Sequence, residues 1–273
     1  MIDMLAAIIV ISVVILLFFG YIFLITPKIT RRIEDKYLNA RYAHRGLHTK
    51  DAPENSMKAF ERAVEKGFGI ELDVRFSKDK KLVVFHDRTL DRVTAEKGNV
   101  CDRTAKELSQ ISLEGTDQTV PLFEDVLALV DGRVPLLVEI KQDPDEADVA
   151  SEACRILKGY SGDYIVESFN PLALVTVKKK LPKACRGLLC DRFTEQDKYK
   201  KPLYYLLQAM ILNFLCKPDF IAYNHKAGQG LSVKLVKNVY KTPFLAWTVR
   251  SPEDEKIAKE KGFCSVIFEN YDT

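Results

Sequence analysis

The sequence predicts a distorted (β/α)8 TIM barrel, preceded by a single N-terminal transmembrane helix. From residue 42 onward, eight short apolar runs of strand length alternate with helical segments, a pattern that is typical of a parallel barrel covered by helices. A ninth apolar run follows the second strand too closely for a helical crossover, and this extra strand makes the barrel irregular. Near the N-terminus lies one long run without a charged residue.

The N-terminal apolar run extends from Met4 to Pro27. A bilayer core of about 30 Å needs about 20 apolar helical residues, so we expect 1–27 to be an uncleaved transmembrane anchor. A cleaved signal peptide would begin with basic residues and end in small ones, whereas Asp3 precedes this run and large residues end it. Basic residues follow at once, and by the positive-inside rule they place the rest of the chain in the cytoplasm. These residues are Lys28, Arg31, Arg32 and Lys36.

The composition excludes several classes of protein. Of the 273 residues, 47% are hydrophobic and 29% charged, which indicates a globular chain and argues against a disordered or fibrous one. The net charge of +3 is too small to favour a nucleic acid as partner. The six cysteines form no C-x-x-C pair and no zinc-binding spacing, and unpaired thiols fit a reducing compartment. We therefore expect a single-pass protein of the cell membrane with its catalytic domain in the cytoplasm.

Each element of the barrel has a local signal. Residues 28–40 are predicted to be a juxtamembrane linker and 41–273 the barrel domain. Strands are predicted at 42–46, 69–73, 136–141, 164–168, 185–190, 219–224, 244–249 and 265–268. Helices are predicted at 56–67, 122–131, 145–158, 171–181, 203–216, 232–242 and 252–262. Several begin with a capping residue or with proline in the first turn, as at Asn170-Pro171 and Ser251-Pro252.

The ninth apolar run is LVVFH at 82–86. The link FSKDKK that precedes it is typical of a hairpin turn. We therefore predict that 74–77 and 82–86 form an antiparallel hairpin after the second strand. Residues 88–121 then form a long excursion before the helix at 122–131.

Carboxylates lie at the ends of two predicted strands. Glu71 and Asp73 end the second strand, and Glu139 with Lys141 ends the third. Residues two apart in a strand share a face, and the inner face at the C-terminal strand ends is the catalytic face of a barrel. Three carboxylates that converge there repel one another unless a cation joins them. Since carboxylate oxygens suit hard cations, we expect Glu71, Asp73 and Glu139 to bind Mg2+ or Ca2+.

Histidines and basic residues occur beside these carboxylates. His44 ends the first strand and His86 ends the hairpin, and two imidazoles can act as acid and base near neutral pH. Arg45 and Lys141 provide positive charge for an anionic substrate. A hard cation, two histidines and two basic side chains together favour the cleavage of a phosphodiester.

A set of motifs occurs in a fixed order: AHRG, APENS, ELDVRFSKDKKLVVFHD, VEIK, ESF and WTV. In this order and spacing, from about residue 40 to about residue 270, the chain resembles the glycerophosphodiester phosphodiesterase family. The resemblance implies a distorted TIM barrel that hydrolyses small-molecule glycerophosphodiesters to sn-glycerol 3-phosphate and an alcohol. It implies His44 and His86 as the general acid–base pair and Glu71, Asp73 and Glu139 as metal ligands. The substrate-binding residues that it implies are Arg45, Lys141, Glu54, Phe169 and Trp247.

The sequence departs from the family pattern at three places. The loop at 47–51 is more charged than usual, and Arg250 stands where asparagine is common. The chain ends in IFENYDT, where the family often has I-T-D-x-P. These departures bear on substrate preference and not on the chemistry.

Two other functions fit the same sequence. A lysophospholipase D would act on membrane lysolipids, since the anchor would bring enzyme and substrate to one surface. A membrane-tethered binding module without activity is the second, and the complete set of histidines and carboxylates argues against it. The sequence leaves open the head group, the oligomeric state and the histidine that acts as the acid.

The predicted helix at 203–216, LYYLLQAMILNFLC, is apolar on nearly every side. A barrel helix needs only one apolar stripe, and this segment is too short to span a bilayer comfortably. Lysines flank it, as in helices that lie in a lipid interface. We expect it to face the membrane or a partner. There are two alternatives for this segment: it forms a dimer interface, or the loop at 191–201 folds back and buries it.

Overall fold

Eight parallel strands form a closed barrel in the computed structural model, which describes residues 2–30, 33–143, 148–195 and 197–271. The strands are β1 (Arg41–Ala43), β2 (Gly69–Phe76), β3 (Leu82–Val84), β4 (Leu136–Ile140), β5 (Tyr164–Ser168), β6 (Cys185–Cys190), β7 (Phe220–Asn224), β8 (Phe244–Val249) and β9 (Ser265–Phe268). All except β3 are parallel, and β1 pairs with both β2 and β9, which closes the barrel. The predicted (β/α)8 architecture is therefore confirmed.

The extra strand β3 pairs antiparallel with the end of β2, so the predicted hairpin is confirmed. The turn is held by the Ser77 amide, which donates to the carbonyl of Lys81 at 3.0 Å. The excursion at 88–121 packs on the outer face of the hairpin and forms a small apolar cluster of its own. That cluster includes Val83, Phe85, Leu90, Val93, Val100, Leu108 and Leu113.

Helices surround the barrel. They are α1 (Ile2–Leu24), α2 (Asp35–Leu38), α3 (Met57–Glu65), α4 (Ala105–Leu108), α5 (Phe123–Val130), α6 (Val149–Leu157), α7 (Pro171–Lys180), α8 (Pro202–Gln208), α9 (Asn213–Cys216), α10 (Leu231–Asn238) and α11 (Pro252–Glu260). Short 3-10 turns lie at Val100–Asp102, Phe193–Glu195 and Asp197–Tyr199. The predicted caps form, because the side chains of Asn170 and Ser251 each accept a bond from the first turn of the helix that follows. The predicted start of the sixth helix, 145–147, lies outside the described residues.

The prediction of one continuous helix at 203–216 is wrong. The chain forms two short helices, α8 and α9, and between them Met210 adopts the left-handed conformation with φ 56°. The Met210 side chain is buried in the core, and α8 and α9 pack on different neighbours. Tertiary packing therefore overrides a uniformly apolar helical pattern.

Helix α1 contains Met4–Leu24, which is long and apolar enough to cross a membrane. The helix is solvent-exposed from Met4 to Gly20 and joins the barrel through its last turn. There Ile25 is buried, and the Tyr240 hydroxyl donates to the carbonyl of Ile22 at 2.9 Å. The body of the protein therefore holds the end of α1 in a fixed place.

Part of the segment predicted as a linker, 28–40, packs against the barrel through residues 33–40. Ile33 and Tyr37 are buried against the apolar side chains that fill the N-terminal half of the barrel interior, and the Tyr42 hydroxyl donates to the carbonyl of Tyr37 at 3.1 Å. The basic residues Arg31 and Arg32 lie outside the described residues. This apolar layer leaves the opposite end of the interior for polar side chains.

One glycine is required by the close packing of this layer. A Cβ atom at Gly187 on β6 would lie 2.1 Å from the ring of Phe220, which is fully buried on the adjacent strand β7. Glycine therefore allows the large ring to fill the interior at this position.

We predict that Gly187→Ala lowers the free energy of unfolding by about 1–3 kcal/mol, because the buried ring has little room to move. Urea unfolding of the full chain in detergent, followed by circular dichroism, measures the change. Gly159→Ala is the matched control, since its Cβ would meet only the Ile156 carbonyl at 3.5 Å. Equal free energies of unfolding for the two variants would contradict this prediction, because they would show that the Phe220 ring moves aside without loss of stability.

Candidate active site

Strand register brings three acidic side chains together at one mouth of the barrel. Asp73 on β2 lies opposite Glu139 on β4, and Glu71 precedes Asp73 by two residues on the same face. The donor oxygens of Glu71, Asp73 and Glu139 all lie within 4.8 Å of one another, and the three side chains are buried. The Lys141 ammonium lies 3.0 Å from Asp73 and 2.6 Å from Glu139. An oxygen-only donor set of this kind fits a hard divalent cation.

Burial and mutual repulsion shift the pKa values of these carboxyl groups. Burial, together with the charges of Asp73 and Glu139, raises the pKa of Glu71 well above its ordinary value. Burial also opposes the charged form of Asp73, but Lys141, His86 and Arg45 together hold its pKa well below the usual range. Glu71 therefore favours its neutral form, whereas neighbouring basic groups stabilise the charged form of Asp73.

Arg45 lies between the carboxylate cluster and Glu54. Its backbone amide donates to Glu71 at 2.9 Å, and its Nε lies 3.5 Å from Asp73. The guanidinium also donates to Glu54 at 2.8 Å. The amide of Asn55 donates to Asp73 at 2.8 Å. The PEN segment therefore positions both Arg45 and one carboxylate of the cluster.

His44 is held by an acidic residue that directly follows the last strand. Its Nδ1 lies 2.6 Å from Glu269, which also pairs with Arg250, and its Nε2 lies 4.0 Å from Glu71. Burial lowers the pKa of His44 to about 4. Burial opposes the charge of Glu269, yet the bonds to His44 and Arg250 lower its pKa to about 2. A charged Glu269 accepts the Nδ1 proton, which leaves Nε2 of the neutral ring available as a base.

His86 has an equivalent arrangement. Its Nδ1 lies 2.5 Å from Asp87, and the other oxygen of Asp87 accepts from Arg92 at 2.6 Å. Arg92 also donates to both oxygens of Glu54, at 2.6 and 2.8 Å. Each histidine of the site is therefore oriented by a carboxylate that an arginine holds in turn.

Sequence reasoning missed the roles of several acidic residues. Two of these residues belong to sequence features that could have indicated a role. Glu269 is part of the unusual C-terminal IFENYDT, and Asp87 is part of the HD motif. Glu167 on β5 lies opposite Glu139 and is 1% exposed. Burial first, and then the charge of Glu139, raise the pKa of Glu167 well above its ordinary value, so this carboxyl favours its neutral form.

The predicted aromatic residues also meet at this mouth. Phe169, which follows β5, and Trp247 on β8 form an edge-to-face pair with ring centroids 5.6 Å apart. Both side chains are partly exposed. Of the ten residues predicted for the site, four lie within strands, namely Glu71, Asp73, Glu139 and Trp247, and the other six lie in the loops that follow strands.

The chain is similar to one known protein family and to curated proteins. The profile of the Glycerophosphoryl diester phosphodiesterase family matches residues 44–273. A glycerophosphodiester phosphodiesterase of Caldanaerobacter subterraneus subsp. tengcongensis is 31% identical over 244 residues, which are 85% of this chain and 94% of the relative.

Solved structures share the fold. A phosphodiesterase of Oleispira antarctica in complex with the product sn-glycerol-3-phosphate aligns with a TM-score of 0.71 at 21% identity, over 85% of this chain and 93% of the other. A glycerophosphodiester phosphodiesterase of Thermotoga maritima aligns with a TM-score of 0.63 at 25% identity, over 84% and 94% of the two chains.

We predict that Glu269→Gln lowers the free energy of unfolding at pH 7 by on the order of 1–2 kcal/mol. The folded pKa of Glu269 is about 2 against an ordinary 4.5, so its contribution is complete above pH 4.5 and is lost as the pH falls through about 2. Urea unfolding at several pH values measures the difference between variant and unmodified protein, which should shrink over that range. Glu260→Gln, an exposed substitution on α11, is the control. A difference independent of pH would contradict this role of Glu269.

Proposed function

Because the chain belongs to the glycerophosphoryl diester phosphodiesterase family, we propose that it hydrolyses glycerophosphodiesters to sn-glycerol 3-phosphate and an alcohol. The observation that supports this most directly is the juxtaposition of a buried acidic cluster with two histidines, each of which is bound to its own carboxylate. Arg45 and Lys141 lie at the same cluster and provide the positive charge that a phosphodiester needs.

Glu71, Asp73 and Glu139 would hold a divalent cation, Mg2+ or Ca2+. When bound, such an ion neutralises negative charge on a phosphoryl oxygen and makes a nearby hydroxyl more acidic. Glu139 also lies beside Lys141, which would be free to contact the phosphate once the cation balances the carboxylates.

The two histidines transfer the protons. One histidine accepts the proton of the free glycerol hydroxyl as that oxygen bonds to the neighbouring phosphorus. The other donates a proton to the departing alcohol as its P–O bond breaks. Water then opens the cyclic phosphate with the two roles reversed. Because Glu269 and Asp87 hold the Nδ1 atoms, the Nε2 atoms of His44 and His86 exchange these protons.

The membrane location is part of the same proposal. We assign 1–27 to a single-pass anchor and place the catalytic domain, from residue 41, on the cytoplasmic face, because basic residues follow the apolar run. The anchor favours lysolipids as a second class of substrate. A lysolipid keeps a free hydroxyl beside its phosphate, as this mechanism requires, whereas a diacyl phospholipid has esterified it.

We predict that Glu71→Gln weakens divalent-cation binding by at least about 100-fold while the fold is retained. Isothermal titration calorimetry of the purified full chain with Mg2+ and Ca2+ measures the affinity, and circular dichroism checks the fold. Glu167→Gln is the matched control, because this equally buried carboxyl lies opposite Glu139 but is not one of the three that lie within 4.8 Å of one another. Full hydrolysis of glycerophosphocholine in excess EDTA would refute the metal requirement.

We predict that His44→Ala and His86→Ala each lower kcat by about 10²–10⁴-fold. If the two rings act in one proton-transfer sequence, the fold-decrease in kcat of the double variant is much smaller than the product of the two single fold-decreases. His48→Ala is the control, since His48 contacts Glu269 only at 3.9 Å. Losses that multiply in full would show that the histidines act in independent steps.

A further inference from the structure

We propose that one apolar surface connects the membrane anchor to the barrel mouth, and that the acyl chain of a lysophospholipid substrate follows it to the site. The surface has two parts. The lipid-contact surface consists of the exposed side chains Leu203, Tyr205, Leu206 and Leu215 on α8 and α9. The aromatic series consists of Tyr204, Phe193, Phe169 and Trp247. This inference rests on the proposed phosphodiesterase activity and on the assignment of α1 as the anchor.

Helix α9 is attached to the end of the anchor. The rings of Phe214 and Phe23 lie with their centroids 5.7 Å apart. The buried side chain of Asn213 donates to the carbonyl of Ile25 at 3.0 Å, and Lys217 donates to the carbonyl of Thr26 at 3.3 Å. Helix α9 therefore lies where α1 leaves the bilayer, and the exposed Leu215 beside it is placed to meet lipid.

Helix α8 adds further exposed apolar side chains. Leu203, Tyr205 and Leu206 are 54%, 50% and 47% exposed, and every side chain of α8 is at least partly exposed. Lys201 lies exposed before the helix, and Lys178 donates to the carbonyl of Leu215 at the other end. Apolar side chains between cations fit the interface of an anionic bilayer.

The aromatic series leads from α8 into the mouth. The ring of Tyr204 lies 5.7 Å from that of Phe193, which lies 5.9 Å from that of Phe169. Phe169 in turn contacts Trp247, 5.6 Å away at the site itself. These rings give a continuous apolar path between the lipid-contact surface and the mouth.

The described residues of the loop at 191–201 contact one side of α8. The Thr194 hydroxyl donates to Gln208 at 2.9 Å, and Phe193 packs on Tyr204. Leu203, Tyr205 and Leu206 remain exposed beyond this contact, so the loop does not bury the surface. The same loop contributes Phe193 to the path.

The chemistry restricts the lipid to one acyl chain. In a lysophospholipid, the free glycerol oxygen bonds to phosphorus and its proton passes to one histidine. The P–O bond to the head group breaks, and the other histidine protonates the released alcohol. Water then opens the cyclic phosphate to lysophosphatidic acid. A diacyl lipid has no free hydroxyl for the first step and is not a substrate.

The test compares two substrates that share a head group, lysophosphatidylcholine and glycerophosphocholine. The full chain is reconstituted in nanodiscs of phosphatidylcholine and phosphatidylglycerol. Phe193→Ala and Leu206→Glu should each lower kcat/KM for lysophosphatidylcholine about tenfold more than for glycerophosphocholine, since each removes apolar contact with the acyl chain. Ile257→Glu on α11, where the side chain is 43% exposed, is the matched control and should affect both substrates equally.

The only tryptophan of the chain, Trp247, gives a second measurement that does not depend on these variants. In the His86→Ala protein, lysophosphatidylcholine brominated on its acyl chain should quench Trp247 fluorescence more strongly than brominated diacyl phosphatidylcholine. Equal quenching by the two lipids would overturn the path. Equal effects of Phe193→Ala on both substrates would overturn it as well.

Failure of the proposed lipid path can be distinguished from failure of the proposed phosphodiesterase activity. Unmodified protein that hydrolyses neither substrate would refute the proposed function instead. If Leu206→Glu converts a dimer to a monomer and changes both substrates equally, α8 is a subunit interface and the lipid surface is refuted.

Discussion

The register between β2 and β4 places three carboxylates within 4.8 Å of one another at a buried barrel mouth, and the surrounding site depends on how their repulsion is relieved. Lys141, Arg45 and Asn55 all turn towards these oxygens, and a proton is favoured on Glu71. Burying three carboxylates so close together lowers the stability of the folded protein, and such a cluster is expected where it binds an ion or a substrate.

The second constraint is the orientation of the two imidazoles. His44 follows β1 and His86 follows the hairpin, yet each has a carboxylate at Nδ1 and an arginine bound to that carboxylate. The closed barrel makes this possible, because β9 returns to β1 and delivers Glu269. The hairpin after β2 has a similar effect, because it places His86 at the mouth of the barrel.

Most of the site could be predicted from sequence, because alternation along a strand places residues such as Glu71 and Asp73 on one face. The hairpin was predictable from a link too short for a helix. The role of Glu269 could not be predicted, because its contact with His44 forms only when the barrel closes and brings the last strand beside the first. The break at Met210 was not predictable either, because a buried side chain and a hydrogen bond from Asn213 to the end of α1 decide it.

The central claim is that the acidic cluster is a cation site, and anomalous diffraction from crystals soaked in Mn2+ tests it most directly. The account predicts one anomalous peak bonded to an oxygen of each of Glu71, Asp73 and Glu139, with the Lys141 ammonium displaced from its place between two of them. A cluster that shows no peak, with Lys141 still bound to Asp73 and Glu139, would contradict it.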